Sequence, residues 1–131
     1  MKNGATARVS IIISSVILAI VDDLMFTSKI RTTAGLLGVP VAFARSRDSA
    51  LTEMRRSRPS LVILDLNGKG TDPLGTLAAM HEDPGLAAIP TIGLVSHVQT
   101  DLIDAARQAG VGEVMARSAF TARLADIIKS G

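Results

Sequence analysis

The 131-residue sequence holds no cysteine, no tryptophan and no tyrosine, with only three phenylalanines and two histidines. Each absence closes off a chemistry. Without cysteine there is no disulfide framework, thiolate nucleophile, Cys-ligated zinc site or iron–sulfur cluster. Two histidines cannot build a three-His metal centre. So few rings leave no stacking platform for single-stranded nucleic acid. A net charge of +2 does not call for a nucleic-acid partner either. The lack of cysteine fits any redox compartment.

Long apolar runs are scarce as well. The one candidate targeting segment, residues 9–21 (VSIIISSVILAIV), follows Lys2 and Arg8 as a signal peptide would, but it spans 13 residues and carries Ser10, Ser14 and Ser15. A membrane helix needs roughly 18 apolar residues. No small-residue cleavage site follows, and the chain runs directly into Asp22-Asp23. The β-branched content predicts a buried strand instead.

What is present suits one domain around one core: 47% of residues are hydrophobic and 20% charged, too apolar for a disordered chain. Charge is unevenly spread. Residues 1–64 carry nine Lys/Arg against four Asp/Glu, and residues 65–131 carry five against eight. The basic excess peaks at Arg45, Arg47, Arg55, Arg56 and Arg58. A solvated helix face accounts for such a run, and an anionic partner surface is the alternative.

Two periodicities alternate along the chain. Apolar runs at residues 16–21, 39–44, 61–66, 91–95 and 113–116 predict buried strands. Helical spacing lies between them. Met25, Ile30, Leu36 and Leu37 form a stripe that Gly38 stops, and residues 47–58 place Ala50, Leu51 and Met54 inward before Pro59. Asp72-Pro73 opens a third helix that breaks at Asp83-Pro84-Gly85. Residues 98–109 predict a fourth, and Phe120, Leu124, Ile127 and Ile128 mark a fifth. The pattern is (βα)5, a doubly wound α/β fold with a five-stranded parallel sheet between helices.

Such sheets place their sites at the carboxyl ends of the strands. There the sequence sets Asp22-Asp23, Asp65, Ser96-His97 and Arg117-Ser118. Clustered carboxylates repel, and a hard cation such as Mg²⁺ would hold them charged through oxygen ligands. A hydroxyl and a cation opposite suit a phosphoryl group, which points to phosphoryl transfer with Asp65 as nucleophile. Singly, each acid is equally well explained as a helix cap. There is no GxxxxGK[ST], no GxGxxG after the first strand and no GxSxG, and Asn67-Gly68-Lys69-Gly70 reads as a flexible loop.

Residues 19–24 (AIVDDL) resemble the first strand and acidic pair of response-regulator receiver domains, the CheY-like phosphoacceptor modules of two-component signalling. Residues 61–67 (LVILDLN) resemble their phosphoacceptor strand. The resemblance covers residues 16–131 and leaves residues 1–15 as an extension without a role. It implies a flavodoxin-like sheet in the order 2-1-3-4-5. It also implies that Asp65 takes a phosphoryl group from a histidine kinase or phosphotransfer protein, and that Asp22, Asp23, Asp65 and the backbone carbonyl of Asn67 hold Mg²⁺. Ser96 would turn its hydroxyl to the phosphoryl group, and Arg117 stands where the family has a lysine. The implied protein is cytoplasmic and is not a turnover enzyme. It binds neither nucleic acid nor membrane, and signals to a protein partner through its fourth helix, fifth strand and fifth helix.

The departures from the family pattern are specific. Its Lys-Pro pair reads Arg117-Ser118, and arginine does not replace lysine conservatively. Its aromatic switch position is Val114, and a position that is usually small is His97. His97 is either a partly exposed side chain at a helix start, or one that pairs with a phosphoryl oxygen or occludes the site. His81 reads as surface. These changes resemble pseudo-receivers and leave open an interaction module that works without phosphorylation. Residues 11–13 (III) form an apolar stretch through which two copies could pair as a homodimer.

Overall fold

The computed structural model describes residues 16–130. Strands β1 (Ile17–Ile20), β2 (Val41–Ala44), β3 (Leu61–Asp65), β4 (Thr91–Val95) and β5 (Glu113–Ala116) alternate with helices. The helices are α1 (Leu24–Leu37), α2 (Arg47–Ser57), α3 (Pro73–Glu82), α4 (Thr100–Gln108), α5 (Arg117–Ala122) and α6 (Leu124–Ser130). The strands form one sheet in the order β2-β1-β3-β4-β5, every pair parallel. The residues 1–15 extension and the pairing segment at residues 11–13 lie outside the described residues. Among the described residues no helix is long and apolar enough to cross a membrane.

The apolar runs form strands because both faces of the sheet are covered. Successive side chains alternate between faces. Ile17, Ala19, Leu61 and Ile63 therefore join α1, α5 and α6 in one core, while Leu18, Ile20, Val62 and Leu64 join α2, α3 and α4 in the other. The central strands β1 and β3 are buried along their whole length, whereas the edge strand β5 is half-buried.

Local signals set the helix ends. Asp23 caps α1, its carboxylate accepting from the N–H groups of Met25 and Phe26. Gly38 ends that helix at φ 72°, a left-handed conformation that glycine adopts without steric cost. Ser46 caps α2, and Asp72 with Pro73 opens α3 as the sequence predicts. One expectation needs correction: the fifth helix is two helices. At Arg123 (φ −111°, ψ 15°) the chain leaves helical geometry, and its N–H turns to the carbonyls of Ala119 and Phe120. Phe120, Leu124, Ile127 and Ile128 stay on one buried stripe across the break, so their spacing carries no trace of it.

Ile63 is fully buried in the centre of β3. Ile63→Ala should cost about 2–5 kcal/mol of stability, while Leu36→Ala, at an exposed site, should cost less than about 0.5 kcal/mol. Urea denaturation followed by far-ultraviolet circular dichroism measures both.

Candidate functional site

The parallel register brings the strand ends into one row. Ile20 pairs with Leu64, Asp65 with Leu94, and Val95 with Ala116. The residues that follow, Asp22-Asp23, Ser96 and Arg117, therefore share a rim with Asp65.

Asp65 is the last residue of β3 and is buried. Its Oδ1 accepts from the Asn67 N–H at 3.1 Å, and its Oδ2 accepts from Arg117 Nη2 at 3.0 Å. Burial pushes its carboxyl above the ordinary carboxylate range, against the opposing pull of the Asn67 N–H and Arg117. Nearby Asp22 and Asp23 push in the same direction as burial. Arg117 Nη2 also reaches Asp23 Oδ2 at 3.4 Å. The N–H of Phe26, with that of Met25 and with Arg117, holds Asp23 below the ordinary range. Asp23 is thus both helix cap and ion-pair partner, one oxygen to each task.

The other rim residues turn elsewhere. Asp22 Oδ2 accepts from the Gly70 N–H at 3.3 Å, so the glycine-rich loop donates backbone to the site. Gly68 is tightly enclosed: a Cβ there would lie 2.8 Å from Thr71 Oγ1 and 3.5 Å from Asp22 Oδ1. Asn67 joins two loops, its side chain accepting from the Ser96 N–H at 2.9 Å and donating to Gln99 Oε1 at 2.8 Å. The Ser96 hydroxyl lies 3.2 Å from His97 Nδ1, and both residues are exposed. His81 is exposed, as the sequence suggests, and so is Ser118, while Val114 packs partly buried in the core beneath α4.

Whether these residues fit Mg²⁺ turns on placement. Their oxygens are the right kind of donor for a hard cation. Yet among the described residues no three Asp, Glu or His side chains are gathered as a metal site. Two of the three expected acids do meet: Asp23 Oδ2 and Asp65 Oδ2 converge on the one nitrogen Arg117 Nη2. Asp23 turns to the first turn of α1 and to Arg117, Asp65 to Arg117, and Asp22 to Gly70. As arranged, the donors fit in kind, and the place where two of them converge is taken by Arg117.

Five parallel strands in the order 2-1-3-4-5 between helices form the fold of CheY-like response-regulator receiver domains, and the chain has that fold. It is similar to the phosphorylated cyanobacterial phytochrome response regulator RcpA, at 26% identity over 88% of this chain and 89% of that one, with a TM-score of 0.74. A response regulator from Hahella chejuensis shares 19% identity over 88% and 92% of the two chains, with a TM-score of 0.78. The Mn²⁺-bound response regulator Rcp1 shares 21% over 88% and 90%, with a TM-score of 0.66. No protein-family model and no curated protein matches the sequence.

Two site residues were not singled out by sequence reasoning. Gln99 holds Asn67 and carries no sequence signal. Phe26 lies under the guanidinium of Arg117, 4.5 Å from it. A ring in the first turn of the helix that Asp23 opens was the available signal.

The raised Asp65 pKa has a defined consequence for stability. A carboxyl whose folded pKa exceeds its unfolded value is destabilising once pH rises through the folded pKa, and the penalty is absent below the unfolded pKa. Asp65→Asn should therefore melt a few degrees above wild type at pH 7, with the gap closing as pH falls toward about 4. Thermal melts across that range measure it; a lower melting point for the variant at pH 7 would contradict the burial argument.

Proposed function

We propose that this chain is a two-component signalling receiver that accepts a phosphoryl group on Asp65 and passes the signal on by binding another protein. The observation that carries the reading is the buried Asp65 carboxylate at the end of β3 with the Arg117 guanidinium 3.0 Å away. A desolvated carboxylate is a strong nucleophile, and a fixed cation beside it offers positive charge to phosphoryl oxygens. The donor in this reading is a phosphohistidine of a histidine kinase or phosphotransfer protein. An Asp65 oxygen bonds to phosphorus as the P–N bond breaks, and the departing imidazole keeps the electron pair and takes up a proton. Arg117 then turns from the Asp65 carboxylate to the phosphoryl oxygens.

Ser96 lies one strand away, and among the described residues its hydroxyl is held only by exposed His97. It is the group that turns to the new phosphoryl oxygens in this reading. Output runs through α4, β5 and α5. Val114 has no ring to reorient, so the change travels by backbone movement at Ser96 and Arg117. Asp22, Asp23, Asp65 and the Asn67 carbonyl are donors of the kind Mg²⁺ takes.

A second reading is favoured by the same Arg117 contacts. A guanidinium already paired with Asp65 and Asp23 supports an interaction module that needs no phosphorylation. The two readings separate cleanly. Acetyl phosphate with Mg²⁺ should add one phosphoryl group to the wild type, seen by intact-mass spectrometry, and none to Asp65→Asn. No addition to the wild type, where a control receiver is modified, rejects the first reading and favours the second.

A further inference from the structure

Arg117 is held from more directions than an ion pair at a rim requires. Its Nη2 reaches Asp65 Oδ2 at 3.0 Å and Asp23 Oδ2 at 3.4 Å. Its guanidinium carbon lies 4.5 Å from the centroid of the Phe26 ring, within cation–π range. Phe26 is itself fixed: it is buried, and its ring centroid lies 5.7 Å from that of fully buried Phe120. The Phe26 N–H donates to Asp23 Oδ1 at 3.2 Å. One residue thus orients both halves of the pair, the ring beneath the guanidinium and the amide on the carboxylate.

We infer that Phe26 is a positioning residue that holds Arg117 as the resident counter-ion of Asp23 and Asp65, so that a divalent cation binds this rim only by displacing that guanidinium. A planar, weakly hydrated guanidinium can lie on a ring and reach two carboxylates at once, which a compact ammonium does less well. A cation arriving at the rim meets carboxylates already compensated and gains less than it would from bare ones. The inference rests on reading the acidic rim as the functional site. It does not require phosphorylation, because its test reads cation binding alone.

The chain has no tryptophan or tyrosine to report binding by fluorescence. Mn²⁺ titrations followed by electron paramagnetic resonance of the free ion serve instead, on wild type, Phe26→Leu and Arg117→Ala, without any phosphodonor. Phe26→Leu keeps apolar bulk and the amide on Asp23 but removes the ring face. Phe26→Met does the same with a different shape, so misfolding of one variant leaves the comparison intact. Arg117→Ala should bind Mn²⁺ about tenfold more tightly than wild type, the low end of what close charge pairs contribute. The Phe26 variants should bind it severalfold more tightly. Equal affinities throughout, including no binding in any of the proteins, overturn the assignment. Tightening in Arg117→Ala alone overturns the role of Phe26.

Discussion

Asp65 ends a strand buried on both faces, and a carboxylate there loses much of its hydration. That constraint orders the rim. The compensating cation comes from the start of α5, two strands away, and is braced by a ring on α1. The opposite wall of the same ion pair is the cap of α1. The arrangement needs β1, β3 and β5 in register, and the two layers of apolar side chains, one on each face of the sheet, hold that register.

The architecture was legible because two signals agreed along most of the chain. Runs lacking polar residues could be buried only between layers of helices, and Gly38, Asp72-Pro73 and the residues after Asp83 punctuated the helices between them. The break at Arg123 was not legible, because the apolar stripe passes through it without a change of spacing. The position of the site was legible for a related reason: a parallel sheet sends every strand end to one rim. The direction of each side chain was not. Asp23 faces its own helix and Arg117 together, and Ser96 pairs with His97. Such choices depend on rotamers and on partners distant in sequence, which neither periodicity nor strand-end position encodes.

The departures from the receiver pattern fall into two groups. Val114 and Ser118 lie off the acidic rim and bear on how a change would travel along β5 and α5, whereas His97 stands at the rim against the Ser96 hydroxyl. Arg117 changes the site itself. Lysine presents a compact ammonium with no flat face, whereas arginine presents a plane, and here that plane meets carboxylates at its edge and the Phe26 ring at its face. The departure is therefore coupled to Phe26 and cannot be understood as a change of one residue.

The ion pair between Asp23 and Arg117 joins residues 94 positions apart in the chain. A nascent polypeptide that has emerged as far as β4 already carries all three rim acids but not Arg117, the cation that pairs with Asp23 and Asp65. Until residue 117 emerges, those two carboxylates lack that partner, and the Phe26 ring in the first turn of α1 lacks the cation above it. Completing the rim therefore closes a very long loop. A ribosome-bound chain of that length would differ from the finished domain at this rim.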